Sequence, residues 1–146
     1  PFAPRAAAIK AGKLVLQQIH EYANRGVDFS FETTLSGKSY ASLWLKLKSK
    51  GYALHLFFLW IPSPELAIAR IRDRVQEGGH HVSAEDIRRR FARGINNFFA
   101  LYEPLLDSWI LFDNSKAKPA LIAKRRNSNR EVVNEELFQM IQRIAR

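Results

Sequence analysis

Apolar residues recur along this chain with two periods in turn, about 3.6 and about 2 residues, which predicts helices interleaved with strands. Residues 6–23 are rich in Ala, Leu, Lys and Gln, all good helix formers, and Gly26 stands where such a helix stops. Val27, Phe29 and Phe31 then alternate with Asp28 and Ser30, a strand pattern that runs out into Glu32-Thr33-Thr34-Leu35-Ser36-Gly37. Tyr40, Leu43, Trp44 and Leu47 return to helical spacing over 38–50, with Gly51 as the stop. Residues 53–61 are almost continuously apolar, which predicts a central strand covered on both faces.

Pro62-Ser63-Pro64 ends that strand and opens a helix to Glu77, with Ser63 as cap and Pro64 in the first turn. Gly78-Gly79 breaks it. Ser83 and Asp86 resemble a capping box, and the stripe Ile87, Phe91, Ile95, Phe98, Tyr102, Leu105 carries the next helix to Leu106. A short strand over 109–112 ends at Asp113-Asn114-Ser115, 120–123 is a further strand candidate, and 132–146 reads as an amphipathic helix. The alternation predicts an α/β fold with a largely parallel sheet, in one domain over residues 1–146.

Composition narrows the classes of function. There is no cysteine, so disulfides and thiolate metal sites are excluded, which is compatible with a cytoplasmic home. No apolar run approaches the ~20 residues of a spanning helix, and the first residues lack a signal-peptide core. The formal net charge of +9 brings polyanions into view, whether nucleic acid, membrane surface or phosphorylated ligands. Neither a helix-turn-helix nor an aromatic-basic RNA signature accompanies that charge.

In an open α/β sheet, ligands bind beyond the carboxyl ends of strands, so polar residues there carry most weight. Glu32, Thr33 and Thr34 bring a carboxylate and hydroxyls to one such end. A solvated turn, with Thr33 or Thr34 capping the next helix, accounts for them equally. The second place is the arginine-framed loop from Arg70 through Arg72, Arg74, Gly78-Gly79 and His80-His81 to Arg88-Arg89-Arg90. A glycine pair between arginine-bearing helix ends describes a lid, here about residues 74–90, and arginine suits the charge of a transferring phosphoryl group. For Arg72, Arg88 and Arg93, a solvated helix face is the simpler account.

Other signals are weaker. Gly37-Lys38-Ser39 mimics the end of a phosphate-binding loop, but Glu32 occupies the position where the first glycine belongs. Adjacent His80 and His81 are not spaced for one metal, and no metal site is expected. Ser36 and Ser39 lack a nucleophile-elbow pattern.

Taken in order, Phe31-Glu32-Thr33-Thr34-Leu35-Ser36-Gly37, Gly51-Tyr52, Arg74-Val75-x-x-Gly78-Gly79-His80-x-Val82, Ile87-Arg88-Arg89-Arg90-Phe91 and Asp113-Asn114-Ser115 resemble the zeta-toxin-like group of P-loop kinases. The resemblance covers residues 5–123. It implies a P-loop-kinase-like three-layer fold and an ATP- or GTP-dependent, Mg2+-requiring phosphotransferase. Toxin members of the family act on the sugar of UDP-N-acetylglucosamine, so the acceptor would be a small molecule such as a nucleotide sugar, and an antitoxin protein would be a partner. Glu32, Thr33 and Thr34 would bind the substrate. Arg74 and Arg90 would act in catalysis and, with Arg89, clamp nucleotide phosphates; Asp113, Asn114 and Ser115 would lie near the nucleotide base.

One departure is severe. Residues 1–146 contain no G-x-x-x-x-G-K-[ST] loop and no following general-base aspartate before the first helix. The expectation is a segment of ~40–50 residues, the size of a strand, loop, helix and strand, upstream of Pro1. Without it, residues 1–146 are expected not to transfer phosphate. A nucleotide- or protein-binding remnant and a basic nucleic-acid module are the alternatives.

Overall fold

The computed structural model describes residues 4–79 and 81–145. Their contacts divide the chain into two compact units, 1–32 and 33–146. The first contains helix α1 (Pro4–Arg25), stopped at Gly26, whose φ of 67° suits glycine. The alternating Val27, Phe29 and Phe31 do not form a strand of the sheet. The pattern instead serves a local aromatic cluster, with Phe29 centred 5.7 Å from Tyr22 and 6.5 Å from Phe31.

The second unit is mixed α/β. It contains α2 (Ser39–Ser49), β1 (His55–Trp60), α3 (Pro64–Gln76), α4 (Ala84–Asn97), β2 (Ser108–Asp113), β3 (Ala120–Arg126), β4 (Asn129–Val132) and α5 (Glu135–Ile144). Between α4 and β2 the chain widens into a π turn, Phe98–Tyr102, and tightens into a 3-10 turn, Glu103–Leu105. Side-chain caps fix three helix starts. Ser63 accepts from the Leu66 N–H at 3.3 Å, Ser83 from Asp86 at 3.2 Å and Asn134 from Leu137 at 3.0 Å.

The strand order is β1-β2-β3-β4, with β1 and β2 parallel and the other two pairings antiparallel. The sheet is therefore not largely parallel. The reason is connection length. Two helices join β1 to β2, whereas residues 114–119 join β2 to β3 and the Asn127-Ser128 turn joins β3 to β4. A parallel crossover needs about a dozen residues or more, so the short links force antiparallel pairing. Asn127 takes the left-handed conformation (φ 53°) that asparagine tolerates in tight turns.

β1 is also not central. It stands first in the strand order, and its side chains alternate, with Phe57 66% and Leu59 55% exposed while Trp60 is buried. The continuous apolar run thus conceals a strand covered on one face. The core lies on the face that carries Trp109 and Leu111. Trp109 makes a T-shaped contact with Phe98 at 5.6 Å and stacks on Phe138 at 6.3 Å. The C-terminal amphipathic helix starts at Glu135 because residues 129–132 are used by β4.

Asp107, just before β2, ties three elements together. Both its carboxylate oxygens accept from Lys48 of α2, at 2.8 and 2.9 Å, and Oδ2 also accepts from the Leu54 N–H at 2.7 Å. The Lys48 hydrogen bond first, then that of Leu54, holds the carboxyl below its ordinary pKa. A depressed folded-state pKa contributes stability that is full above the unfolded value and lost as pH falls through the folded one. Asp107→Asn should therefore cost about 1 kcal/mol at pH 7 and progressively less in acid, below pH ~4. Urea unfolding of both proteins at neutral and acid pH measures this difference.

Candidate functional site

The carboxyl end of β1 opens into a cavity of about 310 Å³ between α3 and α4. Its wall is largely apolar, built from residues such as Phe58, Trp60, Ile71, Phe91 and Ile95, and its polar groups come from Thr34, Arg74 and Arg90. Arg74 lies in the last turn of α3, and Arg90 in the second turn of α4. Sequence-predicted residues from three separate segments thus meet at one concavity.

The arginines around it differ in their commitments. Arg70 donates to the Ser115 carbonyl at 3.2 Å, Arg88 pairs with Glu65 at 3.4 Å, and Arg89 pairs with Asp86 on its own helix. Among the described residues, neither Arg74 nor Arg90 has an ion-pair partner, and no carboxylate lines the cavity. Two unneutralised guanidiniums against an apolar wall are chemically suited to an anion with phosphate-like geometry.

The glycine pair after α3 is an ordered stop. The Gly78 N–H donates to the Val75 carbonyl at 3.1 Å and the Gly79 N–H to the Arg74 carbonyl at 2.8 Å, the two bonds of a Schellman cap. Gly78 has φ 93°, and a Cβ at Gly79 would sit 2.8 Å from Arg74 Cγ. The pair therefore fixes the backbone that carries Arg74. His81 is exposed, and His80 lies outside the described residues.

Across the cavity, residues 33–37 form a tight loop. Thr33 Oγ1 accepts from the Leu35 N–H at 3.1 Å, and the Thr34 and Ser36 hydroxyls meet at 2.8 Å. Neither threonine caps α2, whose N-cap position is Lys38 without a side-chain cap bond. Leu35 adopts φ 53°, which costs on the order of 1–3 kcal/mol for a residue with a side chain. Burying that side chain to 2% exposure offsets the strain.

The other expected site residues lie elsewhere. Glu32 is exposed and ends the first unit. Arg89 and Thr33 do not line the cavity. Asp113 ends β2 and opens a turn with Asn114 and Ser115, in which Asp113 Oδ1 accepts from the Ser115 N–H at 2.9 Å and the Asn114 N–H reaches the Trp60 carbonyl at 2.7 Å. That turn abuts β1 and α3 without lining the cavity. The aromatic wall and Gly94 were missed by sequence reasoning. The signals for the wall were the apolar run of 53–61 and the α4 stripe, which read equally as ordinary core, and nothing in sequence marked Gly94.

An α/β domain with an arginine-flanked cavity at a strand's carboxyl end defines the broad class, one suited to phosphorylated ligands. The chain belongs to the zeta toxin family, whose model matches residues 5–136. An uncharacterized protein of Haemophilus influenzae is 33% identical over 91 residues, covering 62% of this chain and 65% of the relative. The chain thus spans 65% of the length of that relative. No solved structure matches it. Among the described residues, no helix is long and apolar enough to cross a membrane.

Proposed function

We propose that residues 1–146 supply the arginine pair and the acceptor-side loop of a nucleotide-dependent phosphotransferase of the zeta-toxin type. The observation that carries this reading is the convergence of Arg74, Arg90 and Thr34 on one cavity free of carboxylates. Arg74 and Arg90 hold phosphate oxygens of ATP or GTP and stabilise charge on the transferred group. Thr34, with Thr33 preceding it, faces a small-molecule acceptor, for which a nucleotide sugar is the class we favour. The turn 113–115 stands toward the nucleotide base, and an antitoxin is the expected protein partner. The residues fit the anionic phosphates; bound nucleotide with Mg2+ would supply the transferable phosphoryl group.

A second reading, binding without turnover, is favoured by one specific observation, the lack of G-x-x-x-x-G-K-[ST] within residues 1–146. The two are separated by the reading frame upstream of Pro1 together with a product assay on the protein it encodes. The kinase reading expects that motif and a phosphorylated acceptor when ATP or GTP is supplied with nucleotide sugars. A full frame without the motif, binding nucleotide and leaving it intact, would establish the second reading instead.

A further inference from the structure

We infer that Gly94, Asn97 and Tyr102 are positioning residues, which hold loop 33–37 on the cavity wall in fixed register with the Arg90 guanidinium. The inference rests on the phosphotransferase reading above and extends it to how the two sides of the site are aligned.

Three carbonyls of the loop meet these three residues. The Thr34 oxygen lies so close to α4 that a Cβ at Gly94 would approach it to 2.7 Å. Asn97 Nδ2 donates to the Leu35 carbonyl at 2.7 Å, from a side chain that is itself buried. The Tyr102 hydroxyl donates to the Gly37 carbonyl. Burial pushes the Tyr102 phenol above its ordinary pKa.

The π turn is what lets Asn97 and Tyr102 act together. In a regular helix, residues five apart point about 140° away from each other. The wide turn Phe98–Tyr102, closed by the Glu103 N–H on the Phe98 carbonyl, brings the fifth residue back toward the first. Both donors then address the same loop, whose left-handed Leu35 needs such external support.

Arg90 lies one turn before Gly94 on the same helix, a rise of about 6 Å. A single rigid element therefore sets the distance from a phosphate-facing guanidinium to the Thr34 backbone. Asn97 and Tyr102 do not line the cavity, so they act through the loop.

Amide NMR spectra of the 146-residue chain, free and with inorganic tripolyphosphate, test this in Gly94→Ala and Asn97→Ala. Alanine is a better helix former than glycine, which offsets part of the cost of pushing the Thr34 backbone oxygen away, so Gly94→Ala should fold but melt below wild type. Its amide signals over 34–37 should move, and its tripolyphosphate affinity should fall about threefold or more, because the wall is displaced. In Asn97→Ala the signals near Arg90 should still respond to tripolyphosphate while those of Thr34 and Leu35 no longer do. If Asn97→Ala does not fold, Gly94→Ala decides alone. Loop signals unmoved in the free variants, or affinity unchanged in Gly94→Ala, would overturn the inference. A wild-type protein silent to tripolyphosphate would instead overturn the assignment of phosphate to Arg74 and Arg90, while the free-protein spectra would still decide whether α4 holds the loop.

Discussion

Trp109→Ala should lower the unfolding free energy by about 3–5 kcal/mol, enough to leave a domain of ordinary stability partly unfolded at 37 °C. Trp109 is fully buried on β2, in a T-shaped contact with Phe98 and stacked on Phe138. It joins the π turn to α5 on one face of the sheet, so its removal leaves a cavity that neither element can close alone. Its Nε1 has no hydrogen-bond partner among the described residues, so the loss is of packing alone. Trp109→Phe keeps part of the ring contact and should cost roughly half as much. Chemical denaturation monitored by far-UV circular dichroism distinguishes the two; equal, small losses in both would mean that this cluster is not the core.

Much of the helical architecture was legible from the chain. Ser63 and Ser83 both cap as their spacing suggests, because a cap depends on residues three apart and on little else. Sheet topology was less legible, because pairing direction is decided by connection length and β4 lay hidden in a stretch dominated by charge. Lys124 and Glu131 pair at 3.0 Å across that hairpin, a contact that no one-dimensional pattern displays. The apolar run at 55–60 also misled, since Phe57 and Leu59 look like core residues in sequence and are exposed in the fold.

The site was legible in its arginines and not in its geometry. In sequence, Arg72 and Arg88 read as a solvated helix face, while the family resemblance grouped Arg89 with Arg74 and Arg90. Only three dimensions separate Arg89, already paired with Asp86, from the two that face the cavity. Gly94 and Asn97 were invisible for a similar reason. Their partners lie about 60 residues earlier in the chain, on a loop whose shape follows from a left-handed leucine.

The second large effect concerns ligand binding. Replacing Arg74 and Arg90 together by alanine should weaken Mg2+-nucleotide binding about 100-fold or more, since each charge-assisted hydrogen bond contributes about 1.5–3 kcal/mol. Arg88→Ala is the control. Arg88 lies two residues from Arg90 but already pairs with Glu65, and both side chains are more than half exposed. Its removal should change affinity by about twofold or less. The double variant lowers the net charge by two and Arg88→Ala by one, so the comparison is made at physiological salt, where a large difference in affinity separates a built site from the screened general attraction of a chain carrying +9.

Calorimetric titration of ATP or GTP with Mg2+ into wild type, Arg88→Ala and the Arg74→Ala/Arg90→Ala double variant, at physiological salt, shows whether Arg74 and Arg90 hold the nucleotide. Saturable binding is expected in the first two and its loss in the third. Equal binding in all three proteins, or heats that vanish together as salt is raised, would show that the cavity does not hold the nucleotide's phosphates.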